Sequence, residues 1–213
     1  MKVAVYTANF GESEVYTPVA IEMGVDYFYF TDRPVSLEHW IVKTVERRFD
    51  NPRLESRYYF DNSTTVLPDY DITIMHGANA QLLISPLSLI DMFIKSDIAA
   101  FNHPHRNCIY KEAEVCKGVG KDSADKIDKQ IKRYKAAAFP SNYGLHACGL
   151  IIRKNTESVQ NFESLWWQEV LNGSYRDQLS FDYIRWKTGI SISEIPGNIF
   201  SSPYIRINLH NRK

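Results

Sequence analysis

Short apolar runs alternate with amphipathic segments along most of the chain. Seven runs are rich in β-branched and aromatic residues and end at turn-forming residues, a pattern typical of strands. They are KVAVYT (2–7), DYFYFTD (26–32), HWIVKTVE (39–46), DITIM (71–75), IAAF (98–101), CGLIIR (148–153) and ISISEI (190–195). We expect the last of them to be an edge strand.

Four other segments carry apolar residues at helical spacing. Ser85 and Pro86 provide an N-cap and a first helical residue for the earliest one, and Gly173 and Gly189 are expected to end the last two. The apolar stripes are Leu87, Ile90, Phe93 and Ile94 in 85–96, Ile127, Ile131 and Tyr134 in 123–135, Val159, Phe162, Trp166 and Val170 in 156–173, and Leu179, Tyr183 and Trp186 in 176–189. The lysine-rich residues 117–135 predict either a solvated helix or a mobile flap.

The alternation of strands and helices predicts an α/β fold in which helices flank a mixed, mostly parallel sheet. A length of 213 residues suits a single domain over residues 1–213. Lys plus Arg and Asp plus Glu number 25 each, so the formal net charge is zero. That balance points to no particular partner and argues against a wholly electrostatic nucleic-acid binder.

Cysteine usage and the apolar runs bear on the compartment. Cys108, Cys116 and Cys148 form an odd set without a C-x-x-C pair, which favours a reduced compartment and gives no zinc site. The first 14 residues lack the long apolar run of a signal peptide and predict a strand. No run approaches the roughly 20 apolar residues that span a bilayer. We therefore expect no membrane span and a cytoplasmic protein.

Eight blocks of sequence, taken together, resemble one family. They are YTANFG (6–11), DYFYFTD (26–32), SRYY (56–59), LPDYDITI (67–74), HPHRNCIYKEAEVC (103–116), FPSNYGLHACGLIIR (139–153), LWWQEV (165–170) and RDQLSF (176–181). In this order they resemble the glycosyltransferase-like family long labelled a domain of unknown function, whose members include plant mucilage-related and bacterial polysaccharide-cluster proteins. The resemblance implies a GT-A fold, a Rossmann-type sandwich that merges a nucleotide-binding half with an acceptor half.

The chain departs from this family at two positions. MHGANAQL (75–82) follows the DITIM strand, at the kind of strand end where α/β enzymes place their chemistry. Family members usually read Ile-Asp-Gly-Asn there, a local form of the Asp-x-Asp metal motif, whereas this chain has Gly77 in place of the Asp and keeps only Asn79. A second acidic position of the family is Ala147. A manganese or magnesium ion, which the family implies, is therefore in doubt.

The negative charge of a leaving diphosphate could be neutralised in two ways. His76, Asn79 and His210 could form a nitrogen and oxygen site that prefers a transition metal to magnesium. Alternatively, cationic side chains could clamp the phosphates directly. The candidates for such a clamp are Arg57, Arg106, Arg212 and Lys213.

The resemblance also implies a set of site residues. The nucleotide site would have a floor of Thr7, Ala8, Asn9 and Phe10, with Asp32, Arg57 and Arg106 beside it and His76 and Asn79 facing the diphosphate. The donor-sugar and acceptor side would be lined by Asn142, Gly144, Leu145, His146 and Gln178. Asp177, at the start of the RDQLSF helix, would be the catalytic carboxylate.

Each of these assignments has a structural alternative. His76 could be a satisfied structural histidine, and His103 and His105 could order the turn around Pro104. Asp32 could merely cap the Arg33–Pro34 turn. Trp166 and Trp167 are expected to pack the core rather than to bind sugar. Asp177 could be an acidic residue favoured by a helix N-terminus.

The sequence thus predicts a hexosyl- or pentosyltransferase that moves a sugar from a nucleotide sugar, expected to be UDP-linked, to a hydroxyl acceptor. The acceptor could be a glycan, a protein side chain or a hydroxylated DNA base. A DNA base would require a basic track from residues 117–135 and the C-terminal residues. The alternative is a non-catalytic protein that binds a nucleotide sugar or a glycan with the same fold.

Overall fold

A computed structural model describes residues 1–11 and 21–208. The strands are β1 (Val3–Asn9), β2 (Val25–Thr31), β3 (Ile41–Thr44), β4 (Ile72–His76), β5 (Ala80–Leu82), β6 (Ile98–Asn102), β7 (His146–Lys154), β8 (Ile192–Ile195) and β9 (Ile205–Ile207). The helices are α1 (Pro52–Asp61), α2 (Ser63–Val66), α3 (Pro86–Phe93), α4 (Ile109–Gly118), α5 (Ala124–Ala136), α6 (Glu157–Asn172) and α7 (Gln178–Thr188), and a 3-10 turn covers Ile199–Ser201.

The main sheet has seven strands within the described residues, in the order β3-β2-β1-β4-β7-β6-β8. Neighbouring pairs are parallel except where β7 is inserted, since β7 runs antiparallel to both β4 and β6. A separate antiparallel pair joins β5 to β9. The predicted mixed, mostly parallel sheet flanked by helices is therefore confirmed.

Alternate residues of each central strand face two apolar layers. Ala4, Tyr6 and Ala8 of β1 pack into one layer together with residues of α1, α4, α5, α6 and α7. Val3 and Val5 point to the opposite layer, which α3, β5 and β9 cover. A strand covered on both faces needs an apolar side chain at nearly every position, and β1 is buried along its whole length.

The predicted strands and helices are all present, with shifted ends. β1 continues through Ala8 and Asn9, two residues past the predicted end. α3 is shorter than residues 85–96, and Leu87 is exposed, so its placement on the apolar face was wrong; Leu89 takes that place. Of the lysine-rich residues 117–135, most form α5, which buries Ile127, Ile131 and Tyr134 and so confirms the helical alternative.

The sequence patterns did not predict α1, α2, α4, β5 or β9. The three cysteines are buried and free of disulfides, as expected of reduced thiols. In the described part of the chain, no helix has the length and apolar character that crossing a membrane requires.

Candidate active site at the carboxyl edge of the sheet

Several of the predicted site residues lie at or near the carboxyl ends of strands at one edge of the main sheet. β1 lies between β2 and β4, so successive parallel connections leave it in opposite directions. Such a point, at the carboxyl ends of the strands, is where open α/β sheets bind ligands. β7 runs the other way and therefore contributes its first residue, His146, to the same edge.

A cleft of about 520 Å³ opens where β2 and β3 end. Asp32 lines it together with residues 44–47, Phe49 and Asp50. The Asp32 carboxylate accepts a hydrogen bond from the Gly11 backbone N–H (3.3 Å) and lies 3.2 Å from Arg47 Nε. The Arg33 N–H of the following turn donates to Thr31 Oγ1 instead, at 3.3 Å. Asp32 thus faces the cleft and does not cap that turn.

The end of β1 is buried more deeply than a ligand-contacting floor would be. Thr7, Ala8, Asn9 and Phe10 are each at most 4% exposed. Asn9 Nδ2 donates to Tyr29 Oη at 2.9 Å, and the Phe10 ring stacks on Tyr59 with centroids 5.2 Å apart. The predicted floor residues Thr7, Ala8, Asn9 and Phe10 therefore belong to the interior, and Gly11, which follows them, is partly exposed.

His76 ends β4 with its ring fully enclosed. Its Nδ1 lies 2.9 Å from the Gly77 carbonyl oxygen, which assigns the proton to Nδ1, and Nε2 has no hydrogen-bond partner among the described residues. Burial lowers the pKa of His76 to about 4, so the imidazole is neutral at physiological pH. Nε2 therefore carries a lone pair that is directed into the interior. A metal ion or a hydrogen-bond donor could bind to that lone pair.

Asn79 lies beside Gly77, the position at which the resemblance implies an aspartate. Asn79 Nδ2 donates to the Asn208 carbonyl oxygen at 2.8 Å. A Cβ on Gly77 would approach Asn79 Oδ1 to 3.1 Å, closer than most Cβ contacts allow. Glycine at position 77 leaves space for the Asn79 side chain but supplies no carboxylate.

The described donors do not make a magnesium site. Within residues 1–11 and 21–208, no three His, Cys, Asp or Glu side chains are grouped so as to hold a metal ion. His76 and Asn79 offer one imidazole nitrogen and one amide oxygen, whereas Mg²⁺ prefers several oxygen ligands. His210, the third predicted ligand, and the cationic candidates Arg212 and Lys213 lie outside the described residues.

Asp177 is the N-cap of α7 and is buried. Its Oδ1 accepts the Gln178 N–H at 2.9 Å, and its Oδ2 lies 2.5 Å from Arg57 Nη1. The Asp177 backbone carbonyl accepts a bond from Trp166 Nε1 at 3.0 Å. The two predicted residues, Arg57 and Asp177, thus form a single ion pair that ties α1 to α7.

A second carboxyl group, which the sequence patterns did not single out, lies behind this pair. Asp61 follows Arg57 by one helical turn on α1 and is 0% exposed. Neither carboxyl oxygen of Asp61 has a hydrogen-bond partner among the described residues. Burial, and then the negative charge of Asp177, raise the pKa of Asp61 well above its usual range. This shift favours the protonated form of Asp61 in the folded protein.

The residues predicted for the acceptor side lie in and before β7, apart from Gln178 on α7. Asn142 is exposed in a left-handed conformation (φ 58°), and Gly144 has φ 121°. The buried Leu145 contributes its carbonyl oxygen, which accepts the His103 N–H at 2.7 Å. Gln178 is 9% exposed, and its Nε2 has no partner among the described residues. That amide is therefore a buried donor without a hydrogen-bond acceptor among the described residues.

His146 is held by a carboxylate that the sequence patterns did not single out. Its N–H and Nδ1 each lie 2.7 Å from an oxygen of the buried Asp182. Arg185 Nε donates to the same Asp182 at 2.7 Å, and Arg185 Nη2 reaches the Tyr143 carbonyl oxygen at 3.0 Å. Asp182 falls three residues after Leu179, on the buried face of the predicted helix. A carboxylate on a buried helix face is the feature of the sequence that could have identified Asp182 as a site residue.

Arg106 lies in a separate cluster. Its guanidinium pairs with the buried Glu112, and its backbone N–H donates to His103 Nδ1 at 3.1 Å. The His105 N–H donates to the same nitrogen at 3.2 Å, so His103 orders this turn, as the structural alternative predicted. Because Glu112 engages Arg106, and Asp177 engages Arg57, a diphosphate would have to compete with a carboxylate for either arginine.

Comparisons with known proteins agree with this architecture. Residues 40–206 match the family described as TOD1/MUCI70, glycosyltransferase-like domain. A stretch of 131 residues is 26% identical to the probable hexosyltransferase MUCI70 of Arabidopsis thaliana; it covers 56% of this chain and 22% of that protein, so the chain spans only part of its relative.

Among solved structures, the apo form of the bifunctional glycosyltransferase WbbM is similar, with a TM-score of 0.54 at 12% identity over 91% of this chain and 38% of that one. At this identity the likeness concerns the fold alone. The family match extends from β3 to β9 and includes Arg57, His76, Asn79, His146 and Asp177. The chain belongs to the TOD1/MUCI70 family of glycosyltransferase-like domains.

Proposed function

We propose that this chain transfers a hexosyl or pentosyl group from a nucleotide sugar, expected to be UDP-linked, to a hydroxyl acceptor. The observation that carries the proposal is the buried Arg57–Asp177 pair, which fixes a carboxylate at the N-terminus of α7. A carboxylate of fixed orientation is what either course of glycosyl transfer requires, as a base for the acceptor hydroxyl or as a charge beside an oxocarbenium-like sugar.

The roles follow from the positions of the side chains. The Asp32–Arg47 cleft takes the nucleoside, since Asp32 offers acceptor oxygens to ribose hydroxyls and Phe49 offers a ring face. Gln178 Nε2 donates to a sugar hydroxyl. Asp177 receives the proton of the acceptor hydroxyl or stabilises the sugar cation. Arg57 fixes the Asp177 carboxylate in position.

A divalent cation, when bound, neutralises the charge that develops on the leaving diphosphate. His76, through its neutral imidazole, and Asn79, through its amide oxygen, would hold the ion, and such a nitrogen and oxygen donor set favours manganese over magnesium. Arg106 and Arg57 could serve instead if they exchanged their carboxylate partners for phosphate.

A glycan hydroxyl is the acceptor that we favour over a protein side chain or a hydroxylated DNA base. A DNA substrate requires a free basic track. Lys117, which begins the lysine-rich segment, pairs with Glu114 at 2.9 Å and Asp128 at 2.6 Å, and Arg133 pairs with Glu169 at 2.5 Å. These ion pairs reduce the positive charge of the segment.

The second candidate is a protein that binds a nucleotide sugar or a glycan without transferring it. Two points favour it: Gly77 and Ala147 stand where the resemblance implies carboxylates, and the described residues contain no group of three metal-binding side chains. The Arg57–Asp177 pair counts against it, because burying a charged pair carries a desolvation cost.

Slow hydrolysis of the donor separates the two candidates. The protein is incubated with UDP-glucose, UDP-galactose, UDP-xylose and UDP-N-acetylglucosamine, each with manganese, and released UDP is measured alongside the thermal shift of the protein. We expect one donor both to stabilise the fold and to release UDP, and Asp177→Asn to retain the stabilisation and lose the release. Stabilisation without UDP release from any donor would establish the binding protein.

A further inference from the structure

A groove of about 380 Å³ lies between α2 and α6, outside the sheet-edge site. Helix α6 provides five of its lining residues, and the residues at and after the end of α1 provide three. They are Gln160, Glu163, Ser164, Trp167 and Gln168, and Asn62, Thr64 and Thr65. We call this the α2–α6 groove.

The surface of the α2–α6 groove is uncharged. Glu163, its only ionisable lining residue, is 1% exposed, and its carboxylate accepts bonds from Ser63 Oγ (2.5 Å) and Thr64 Oγ1 (2.6 Å). The same carboxylate lies 2.8 Å from Arg153 Nη1, so its charge is balanced inside the protein. What faces solvent is a set of hydroxyl and primary amide groups, which both donate and accept hydrogen bonds.

One aromatic ring stands among these polar groups. Trp166 and Trp167 are adjacent in sequence, but Trp166 is fully buried whereas Trp167 is half-buried and lines the groove. A ring edged by hydroxyls and amides suits a ligand with an apolar face and a polar rim. A pyranose has both, since its C–H bonds form one face and its hydroxyls form the rim. A polyanion would find no fixed cation on this surface.

One aromatic contact links the lining of the groove to the lining of the cleft at the sheet edge. Trp167 packs edge-on against Phe49, with ring centroids 5.7 Å apart, and against Tyr58 at 5.5 Å. Phe49 also lines the cleft beside Asp32. From Gln160 to Gln168 the groove follows about 12 Å of α6, more than one sugar unit can fill.

We propose that the α2–α6 groove binds a neutral oligosaccharide, as a subsite for the acceptor glycan away from the point of transfer. The role as an acceptor subsite rests on the proposed function, whereas the binding of an oligosaccharide does not. Trp167 supplies the stacking face, and Gln160, Ser164 and Gln168 supply hydrogen bonds. An acceptor held here would extend towards the cleft along Trp167 and Phe49.

The test blocks the groove without touching the core. Ser164 is exposed on the groove side of α6, and Asn161 is exposed on the same helix but does not line the groove. Ser164→Arg therefore fills the groove, and Asn161→Arg is a control with the same added charge and bulk. The probes are cello-, xylo-, manno- and malto-hexaose, titrated to millimolar concentration into the ¹⁵N-labelled chain and followed by amide chemical shifts.

We expect at least one neutral hexasaccharide to shift the amides of residues 62–65 and 160–168. Ser164→Arg should weaken that binding by about tenfold or more, and Asn161→Arg should leave it unchanged. A charged oligogalacturonate of the same length should not bind. The proposal is overturned if none of the four hexasaccharides binds, if Ser164→Arg binds as the wild type does, or if oligogalacturonate binds more tightly.

UDP release by the same variants separates this proposal from the proposed function. Asn161→Arg, which lies outside both the groove and the donor site, should hydrolyse the donor at the wild-type rate. Hexasaccharide binding without any donor hydrolysis would refute the transferase and leave the groove as a glycan site. Donor hydrolysis without hexasaccharide binding would refute the groove as a glycan site and leave the transferase.

Discussion

Asp61 carries a carboxyl group that no described donor reaches, in a cluster with Arg57, Arg153, Asp177 and Glu163. If all five side chains were charged, the cluster would hold one more negative than positive charge. A proton on Asp61 makes the cluster neutral, and Asp61 is the member that hydrogen bonds favour least as an anion. Protonation of Asp61, rather than a third arginine, would therefore remove the excess negative charge of this interior.

The protonation of Asp61 predicts the effect of Asp61→Asn on stability. Because the folded-state pKa is raised, the unfolded chain releases a proton that the folded protein keeps. The free energy of unfolding of the wild type therefore falls by about 1.4 kcal/mol per pH unit between the unfolded pKa, about 3.9, and the folded pKa. Asp61→Asn lacks this loss and should be the more stable protein at neutral pH, with the advantage shrinking towards pH 4.

Urea denaturation between about pH 4 and pH 8 measures this difference. Asp69→Asn, at an exposed position, is the control and should follow the wild type. An Asp61→Asn protein less stable than the wild type throughout that range would show that Asp61 is ionised and holds the arginines.

Asp177→Asn should lower turnover by roughly 10²-fold or more, the size of a lost acid/base contribution, while nucleotide-sugar binding persists. The ion pair adds a structural cost, because Arg57 loses its partner at a site where only 21% of its side chain is exposed. We expect a loss of about 1–3 kcal/mol in the free energy of unfolding. Turnover is measured by UDP release and stability by urea denaturation.

A double variant separates the two effects. Arg57→Met combined with Asp177→Asn removes both charges and should recover part of the stability, but none of the turnover. If turnover returns with stability in the double variant, Asp177 acts only as a cap and as a partner of Arg57.

At the scale of elements, sequence patterns predicted those helices whose buried face is apolar. Helix α6 buries Val159, Phe162, Trp166 and Val170 at the predicted spacing. Helices α1 and α4 were not predicted because charged residues interrupt their buried faces. Glu55 on α1 pairs with Arg48 at 2.9 Å, and Glu112 on α4 pairs with Arg106. A carboxylate whose partner comes from another segment looks like a surface residue in the sequence.

The same reason limits how much of the candidate site the sequence could predict. Position at a strand end is a local property, so Asp32 and His76 could be placed from the pattern of strands. Asp61 and Asp182 lie inside helices and matter through partners that the fold brings together. The resemblance to a family supplied Arg57 and Asp177, but their contact joins residues 120 positions apart and follows only from the packing of α1 on α7.

The segment that leads into β7 depends on one glycine. Gly144 has φ 121°, and a Cβ there would lie 3.0 Å from Arg185 Nη2, which anchors Asp182 and Tyr143. Gly144→Ala should therefore cost roughly 1–3 kcal/mol of unfolding free energy and loosen His146. Gly120→Ala is the control, because Gly120 also has a positive φ (62°) but no atom within 4 Å of a Cβ. Equal losses in the two variants, measured by urea denaturation, would contradict a role for the Arg185 contact.

At the scale of the whole molecule, the sheet edge predicts where a nucleotide binds. UDP should raise the melting temperature, and its amide shifts should centre on residues 7–11, 32 and 44–50. Asp32→Ala should weaken UDP binding by about tenfold, or about 1.4 kcal/mol, whereas Lys43→Ala, exposed on β3 but outside the cleft, should not. A nucleotide bound away from the ends of β1 and β2 would contradict this assignment of the site.

Metal dependence tests the loss of the family aspartate. With Gly77 in that position, donor hydrolysis should depend weakly on magnesium, and should either persist in a chelator or prefer manganese. His76→Ala should reduce any manganese stimulation, while His105→Ala, at an exposed position, should leave it unchanged. Full activity that requires magnesium and disappears with a chelator would mean that another carboxylate replaces the lost one.

The insertion of β7 also has a consequence for synthesis of the protein. Strands β1 to β4 are complete by His76, yet the free edge of β4 pairs with residues Leu150–Lys154. At about 5–20 residues per second, a ribosome takes roughly 4–16 s to make the intervening chain. For that time the nascent sheet presents an unpaired apolar strand, a template for aggregation. Expression yield should therefore respond more to chaperones and to temperature than the stability of the finished fold would suggest.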